Sequence, residues 1–290
     1  MDRLERCVGD PETFLRRHWR RGPALLHPAD PPTRLLTPQA LSDLVDGGTL
    51  RTPYATLSTA GGDPLPEERF CTPRTVTGHP LQGCLDPALV RTLIQDEGAT
   101  LHLHHLEHWH PGVRELTTGL AEATGRPAEA FLDHTPPGPY GPAHRTDGDL
   151  LVIQLDGTTH RRVHPAPADP AWRPGREDTP GRCLLETPVH PGEVLYVPDG
   201  HAHTARATGP APSLHLTVAL REARADHLRA RLRTLLADSP ADGPALPERP
   251  LDEADLLRAG AVLLDHLRAR LTAVTPEDLV AGARRTAHGA

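Results

Sequence analysis

Short apolar runs, divided by proline and glycine turns, dominate the chain between residues 99 and 220 and restrict its fold more than any other feature. In the last run apolar and polar residues alternate, so every second side chain is expected on the same face of a strand. The runs that predict strands are 99–106, 150–155, 183–186, 194–197 and 214–220. Many short strands separated by turns predict a β-sandwich or a jelly roll.

The residues before this region have helical patterns. Thr37 is a suitable N-cap for the helix that follows it, and residues 86–95 and 113–124 have helical spacing. Residues 11–26 predict an amphipathic helix that is interrupted by a Gly-Pro turn. We therefore expect the first part of the sequence to be helical.

The composition changes after residue 220 to Arg, Ala, Leu and Glu, with helical periods at 221–236 and 252–271 and a further helix predicted from Pro276. A proline-rich loop at 239–250 separates the first two helices. We interpret this part as a helical appendage that serves packing or forms a homodimer. The predicted organisation has three parts, namely an N-terminal helical segment at 1–50, a β-rich domain at 51–220 and a C-terminal helical domain at 221–290.

The chain contains no lysine, so all 31 of its basic side chains are arginine. Any anion held inside the protein must therefore be bound by arginine, histidine, hydroxyl groups or backbone amides. The formal net charge of −7 argues against a nucleic-acid partner, because phosphate neutralisation needs clustered positive charge. A basic cluster at residues 16–21 has helical spacing and is interpreted as a solvated helix face.

The sequence has no apolar stretch of the kind that predicts secretion or membrane insertion. Its first residues lack the apolar core of a signal peptide, and no later stretch reaches the roughly 18 apolar residues of a membrane helix. The four cysteines are scattered without metal-ligand spacing and are expected to be free thiols. We expect a cytoplasmic protein with no membrane partner.

Two histidines and an aspartate in the β-rich region are candidate metal ligands. His144 lies at the edge of a predicted strand with Asp147 close behind it, and His203 follows a later strand on a loop shaped by proline and glycine. Two histidines and a carboxylate are the parts of a facial triad, which leaves coordination positions open for oxygen chemistry. Residues on different strands of a jelly roll can converge on one metal ion.

An ordered series of segments resembles the JmjC-like cupins of the bacterial and ribosomal-oxygenase type, which are iron(II) and 2-oxoglutarate dependent hydroxylases. The resemblance covers most of the chain. Its segments are Phe14-Leu-Arg-Arg-His-Trp19, Gly98-Ala-Thr-Leu101, Thr135-Pro-Pro-Gly138, His144, Asp149 to Gly157, Pro191 to Pro198, His203 and Ser213 to Thr217.

The resemblance implies a mainly β protein with helical flanks, in which a double-stranded β-helix holds iron at its mouth. It implies Fe(II) as cofactor, 2-oxoglutarate as cosubstrate, and a protein, peptide or peptide-derived natural product as the hydroxylated substrate. His144, Asp147 and His203 are the implied metal ligands. The His-x-Asp pattern of these relatives places Thr146 where their aspartate lies. Three alternatives follow: a bulge that recruits Asp147, a metal with two protein ligands, or weak iron binding.

The residues expected to hold the cosubstrate follow the strand at 149–157. Many relatives have a lysine where this chain has Thr159, and Arg161 shares a strand face with Thr159, so Arg161 can clamp a carboxylate with two hydrogen bonds. Its alternative is an exposed position in the basic run at 160–162. Gln154 and Tyr196 are expected to shape the pocket.

Further basic side chains are alternatives for the roles assigned above. Arg145 and Arg206 are weaker candidates for the carboxylate anchor. His201 and His215 are candidates for a substitute ligand or for a hydrogen-bond partner of a ligand. We interpret the histidine tract at 102–110 as structural, because alternation on a strand places its members on different faces.

The sequence is also compatible with two other functions. Loss of both the aspartate and the lysine of the family pattern favours a cupin that keeps the fold as a binding or scaffolding module. A metal-dependent cupin that does not use 2-oxoglutarate is the second alternative.

Overall fold

A computed structural model describes residues 3–169, 171–236, 244, 246 and 252–287 of the chain. The chain divides into two compact units, Met1–Arg221 and Glu222–Ala290. Among the described residues, all the strands and six of the α-helices belong to the first unit. Three helices form the described part of the second.

The helices are α1 (Arg3–Val8), α2 (Pro11–Arg17), α3 (Pro38–Asp46), α4 (Pro87–Glu97), α5 (Leu106–Trp109), α6 (Pro111–Thr124), α7 (Ala225–Leu236), α8 (Glu253–Thr272) and α9 (Pro276–Ala287). The strands are β1 (Ala24–Leu26), β2 (Ala55–Ser58), β3 (Arg74–Val76), β4 (His79–Leu81), β5 (Thr100–Leu103), β6 (Ala128–Thr135), β7 (His144–Arg145), β8 (Asp149–Asp156), β9 (Thr158–Val163), β10 (Gly175–Arg176), β11 (Leu185–Val189), β12 (Val194–Val197), β13 (His203–Thr208) and β14 (Ser213–Leu220).

Two antiparallel sheets form the body of the first unit. The larger sheet has the strand order β1-β12-β8-β14-β6-β5-β2, and the smaller has the order β10-β7-β13-β9-β11. Strands β8 and β9 are consecutive but belong to different sheets, so the chain alternates between the two layers. This arrangement confirms the predicted double-stranded β-helix with helical flanks. Strands β3 and β4 form a separate ribbon.

The larger sheet is buried on both faces, which explains why β8 has a continuous apolar run. Leu151 and Ile153 pack into the core shared with the N-terminal helices, whereas Leu150 and Val152 belong to the core between the two sheets. Full burial of each such side chain contributes about 1.5–3 kcal/mol relative to exposure. Because side chains alternate along β8, the same alternation decides which of its polar side chains face the other sheet.

The helix predicted over residues 11–26 ends earlier than expected. Helix α2 ends at Arg17, and Leu25 lies in β1, where it pairs with Leu195 at the edge of the larger sheet. The Gly-Pro turn is therefore the change from helix to strand and not an interruption within a helix. Two adjacent leucines are compatible with a helix and with a strand. Here the extended conformation is favourable because these residues pair with the edge of β12.

The helix ends that the sequence predicts are confirmed. Thr37 Oγ1 accepts a hydrogen bond from the Ala40 N–H at the start of α3, and Pro38 is the first helical residue. Helix α6 ends at Gly125, which has a left-handed backbone conformation with φ +65°.

In the C-terminal unit α7 and α9 pack against one another. Arg284 Nε donates to Glu222 Oε1 at 3.0 Å within this unit. The proline-rich loop predicted at 239–250 lies outside the described residues except for Pro244 and Leu246. None of the helices in the described ranges is long and apolar enough to cross a membrane.

Candidate metal and cosubstrate site

A cavity of about 730 Å³ lies between the two sheets and is lined by residues of both. The smaller sheet contributes His144, Arg161 and His203, and the larger sheet contributes Asp133 and His215. The cavity therefore combines neutral, cationic and anionic groups in one enclosed space.

The two candidate histidine ligands face each other in this cavity. His144 on β7 is directly paired with His203 on β13, and their ring centroids are 4.1 Å apart. His203 is buried, whereas His144 is exposed to the cavity. Desolvation lowers the pKa of His144, and desolvation together with the charge of His144 lowers the pKa of His203 well below its usual range. Both rings are therefore neutral near pH 7, which is the form that binds a metal.

Arg145 fixes the backbone around the histidine pair. Its Nη1 donates to the carbonyl oxygens of Gly200 and Pro165 at 2.8 and 2.7 Å, and its Nε donates to Glu177 Oε2 at 2.7 Å. These bonds tie β7 to the loop that precedes His203. Arg145 therefore supports the backbone of the site through its Nε and Nη1 donors.

The structure does not bring Asp147 together with the two histidines. The Asp147 carboxylate pairs with Arg221, which also forms a salt bridge of 2.9 Å with Glu129. Thr146 lines the cavity in its place. In the described part of the chain, no group of three possible ligand atoms that includes His144 or His203 lies within 4.8 Å of one another.

Arg161 points into the cavity, as predicted, and is held by two neighbours. Its Nε donates to Thr159 Oγ1 at 3.1 Å, and Thr159 Oγ1 in turn donates to Gln154 Oε1 at 2.9 Å. Burial lowers the pKa of Arg161 to about 10, so the guanidinium is still charged near pH 7. Its Nη2 is buried and has no hydrogen-bond partner among the described residues. A buried, unsatisfied donor on a cation fits the carboxylate of a ligand.

Tyr196 does not shape the cavity. Its hydroxyl donates to Asp149 Oδ1 at 2.6 Å, and its ring packs against Phe14 and Trp19 at centroid distances of 5.0 and 5.9 Å. The cause is strand parity, because Leu195 of β12 faces the other sheet and Tyr196 therefore faces the helices. Its role is to hold the N-terminal segment on the sheet.

A row of polar side chains crosses the larger sheet at the base of the cavity. Asp133 on β6 is directly paired with His102 on β5 and with His215 on β14. Asp133 Oδ1 lies 2.5 Å from His102 Nδ1, and Oδ2 lies 3.0 Å from His215 Nε2. Burial alone would raise the pKa of Asp133, but the two histidines hold it well below its usual range. The carboxylate is therefore a fixed negative charge opposite Arg161.

The row continues to the edge of the sheet through two members of the 102–110 tract, whose interpretation as structural stays a prediction. His102 Nε2 lies 2.8 Å from Ser58 Oγ, and His104 Nε2 lies 2.8 Å from Thr56 Oγ1. Both histidines line the cavity. Polar residues alternate at Thr100, His102 and His104, which indicates a polar strand face. The sequence does not show which neighbouring strand supplies their hydrogen-bond partners.

The two histidines that were candidates for a substitute metal ligand, His201 and His215, lie in different parts of the fold. His215 lines the cavity, with its Nδ1 buried and without a partner in the described part of the chain. His201 belongs to the loop before β13, where its Nδ1 lies 3.4 Å from the Asp199 carbonyl oxygen, and it does not line the cavity. Arg206 is exposed over the Tyr140 ring at the rim.

Two facing sheets enclose the paired histidines and the buried cation. Residues 128–228 match the family model of the JmjC domain, and the chain is similar to JmjC-like cupins of the ribosomal-oxygenase type.

Three relatives illustrate the similarity. Ribosomal oxygenase 1 of Gallus gallus is 30% identical over 217 residues, which cover 72% of this chain and 34% of that protein. The bifunctional lysine-specific demethylase and histidyl-hydroxylase NO66 of Aedes aegypti is 30% identical over 43% of this chain and 21% of its own length. The structure of YcfD from Escherichia coli superposes with a TM-score of 0.58 at 19% identity, covering 93% of this chain and 69% of that one.

The chain spans only about a third or less of the curated relatives to which it is similar. The likeness to YcfD is one of fold.

Proposed function

We propose that this protein is an iron(II) and 2-oxoglutarate dependent oxygenase that hydroxylates a protein or peptide side chain. One observation carries the proposal: paired neutral histidines and a buried arginine with an unsatisfied donor face the same cavity. Imidazoles suit iron(II), and a guanidinium suits a dicarboxylate cosubstrate.

His144 and His203 would hold the metal. Two neutral imidazoles on adjacent strands fit a divalent ion and leave its other positions to small ligands. When bound, iron(II) and 2-oxoglutarate together supply the activation of dioxygen for oxidation of a C–H bond, with succinate and carbon dioxide as the coproducts.

The remaining cavity residues orient the cosubstrate and exclude water. Arg161 Nη2 would donate to one carboxylate of 2-oxoglutarate. The hydrogen bonds from Arg161 Nε to Thr159 and from Thr159 to Gln154 keep the guanidinium in that orientation, and Gln154, which was expected to shape the pocket, acts from behind its lining. Leu150 and Val152 form an apolar wall beside it. The fixed position of these groups lowers the cost of ordering the bound molecule.

Similar proteins support this assignment of class and substrate. YcfD of Escherichia coli is described in complex with cobalt and 2-oxoglutarate, at a TM-score of 0.53 and 18% identity over 92% of this chain and 67% of that one. NO66 proteins are named as histidyl-hydroxylases, and the others as ribosomal oxygenases. We infer that the substrate of this chain is a protein side chain, with ribosomal proteins as the first candidates.

The test is turnover with defined peptides. Purified protein with iron(II), 2-oxoglutarate and peptides from ribosomal proteins is expected to form succinate and to add one oxygen atom to one peptide, measured by mass spectrometry. His203→Ala is expected to abolish both products. Succinate formation that is equal in this variant would contradict the proposal.

A second candidate function is a catalytically inactive binding module of the same fold. The observation in its favour is that Asp147 pairs with Arg221 and that, among the residues the structure describes, no carboxylate completes the histidine pair. Metal analysis separates the two functions. Stoichiometric iron in the wild type that is lost in His203→Ala supports the oxygenase, whereas wild-type protein without iron after reconstitution supports the binding module.

We further propose that residues 221–290 form an appended domain that dimerises the protein in the cytoplasm. Helix α8 exposes several large apolar side chains, namely Leu256, Leu257, Val262, Leu263, Leu264 and Leu271. A cluster of exposed leucines is typical of an interaction surface. The mass in solution measured by light scattering is expected to be that of a dimer, and to fall to that of a monomer in the double variant Leu257→Glu and Leu264→Glu. The free cysteines agree with a reducing compartment.

A further inference from the structure

His105, Glu107 and His108 form a second cluster of metal-ligating side chains. Within the described ranges, only these three bring one possible ligand atom each within 4.8 Å of one another. None of them lines the cavity that contains His144 and His203. We propose that the three side chains form a separate binding site for a divalent cation that favours nitrogen ligands, such as Zn²⁺.

The separations between the ligand atoms agree with a tetrahedral ion. Glu107 Oε1 lies 3.1 Å from His105 Nδ1 and 3.7 Å from His108 Nε2. Bonds of about 2.0–2.2 Å at tetrahedral angles place ligand atoms about 3.3–3.6 Å apart. The two separations lie just below and just above that range, and all three ligand atoms lie within 4.8 Å of one another, so the two imidazole rings need to rotate to direct all three atoms at one ion.

The carboxylate of Glu107 is already oriented for this role. Its side chain is only 10% exposed, and its Oε2 accepts a hydrogen bond of 2.8 Å from the Ala130 N–H on β6. Oε1 is thereby turned towards His105 and His108. Without a metal, the His105 Nδ1–H donates to Oε1; a cation bound at Nδ1 requires the other tautomer, in which the ring proton lies on Nε2.

The histidines are positioned by neighbours that are not ligands. The Tyr54 hydroxyl lies 3.4 Å from His108 Nδ1, which leaves His108 Nε2 facing Glu107. A second partner on the far ring nitrogen is typical of metal-bound histidine. His105 has a left-handed backbone conformation with φ 49°, which is uncommon for a residue with a Cβ, and the fully buried Leu106 holds the turn in place.

Solvent has access to the site. The side chains of His105 and His108 are 39% and 55% exposed, so an ion can reach them and water can take its fourth position. Two imidazoles with one carboxylate favour zinc, nickel or cobalt over magnesium and calcium, which prefer oxygen ligands. All three ligands belong to α5 and its N-cap, and the Glu107 hydrogen bond to Ala130 connects them to β6, the strand that carries Asp133 into the cavity.

Calorimetric titration with Zn²⁺ tests the site. A variant with His144→Ala and His203→Ala is expected to bind one equivalent of Zn²⁺, because the cavity histidines are absent and the second site remains. In that background His105→Ala or Glu107→Gln is expected to reduce the affinity at least about tenfold. The glutamine oxygen can still accept from Ala130, so Glu107→Gln tests the ligand charge without removing this bond.

His79→Ala is the matched control, because His79 is an exposed histidine on β4 outside both clusters. Its affinity for Zn²⁺ is expected to be unchanged. If the cavity variant does not fold, as judged by circular dichroism, the same comparison is made in the wild type, where His105→Ala should remove one of two equivalents. Affinity that is unchanged in both His105→Ala and Glu107→Gln overturns the proposal, as does the absence of zinc binding in a folded cavity variant.

Discussion

Arg161 is the residue on which binding of a carboxylate cosubstrate depends in this account. Arg161→Met removes a charge-assisted hydrogen bond worth about 1.5–3 kcal/mol, so we expect the Kd for 2-oxoglutarate to rise about 10–100-fold. Arg161→Lys retains the charge but not the planar fork, and an intermediate loss is expected. The measurement is calorimetric titration of the metal-loaded protein under anaerobic conditions.

Arg162→Met is the control for this series. Arg162 is adjacent in sequence but lies on the opposite face of β9, where it pairs with Glu186 at 2.9 Å. Its replacement should leave the Kd unchanged. An equal loss in both variants would mean that net charge, and not the Arg161 position, determines binding.

His102 makes stability depend on pH. Burial tends to lower its pKa, but the charge and hydrogen bond of Asp133 outweigh this effect and raise the pKa above 6.5. A raised folded-state pKa contributes stability that is complete below 6.5 and is lost as the pH rises through the folded-state value. We expect the stability advantage of wild type over His102→Gln to fall as the pH rises above about 6.5, measured by urea denaturation.

His104 provides the control with the opposite sign. Burial and the charge of His102 lower its pKa below 6.5, so its contribution to stability is present above 6.5 and is lost as the pH falls. The advantage of wild type over His104→Gln should therefore rise with pH. The same trend in both variants would contradict the assigned protonation states.

The sequence indicates the position of a side chain where alternation along a single strand sets it. It does not indicate contacts that arise from the pairing of different strands. His144 and Arg161 follow from strand edges and from alternation along β9. The row of His102, Asp133 and His215 exists only because β5, β6 and β14 lie side by side, and no spacing in the sequence reports that order. Asp147 was predicted from its nearness to His144, whereas the structure pairs it with the distant Arg221.

The turn between β8 and β9 is the element that joins the two sheets at the site. Gly157 has φ +63°, and a Cβ there would lie 2.6 Å from the Pro212 carbonyl oxygen. Gly157→Ala is therefore expected to destabilise the protein by about 2–3 kcal/mol, through both the backbone conformation and the clash. Urea denaturation measures this loss.

Gly98→Ala separates the two causes. Gly98 has a similar φ of +68°, but a Cβ there would meet nothing within 4 Å. Only the conformational cost of about 1 kcal/mol is expected. Equal losses at the two positions would show that the contact with Pro212 has no effect.

The strands and helices were predicted well where a pattern is local. The caps at Thr37 and Gly125 are set by their own side chains or backbone, and they lie where expected. The end of α2 and the strand β1 were missed, because Leu25 becomes extended only through its pairing with β12. Tyr196 was expected at the cavity but faces the N-terminal helices. Both faces of β12 carry apolar residues, so the sequence does not show which of them face the other sheet.

For the whole molecule, ligand binding and stability are linked. A ligand that binds only the folded state at 100 times its Kd stabilises it by about 2.7 kcal/mol. We expect Co²⁺ with 2-oxoglutarate to raise the Tm of the Met1–Arg221 unit by about 5–10 °C, as measured by calorimetry. In Arg161→Met, most of the increase in Tm that is due to 2-oxoglutarate should be lost.

The central claim is that His144 and His203 bind a metal beside the cosubstrate anchor Arg161, without Asp147. The most direct measurement is anaerobic titration of the protein with iron(II) and 2-oxoglutarate, monitored through the weak visible charge-transfer band. We expect a band in the wild type and in Asp147→Asn, and none in His203→Ala. No band in the wild type, or a band lost equally in Asp147→Asn and His203→Ala, would contradict it.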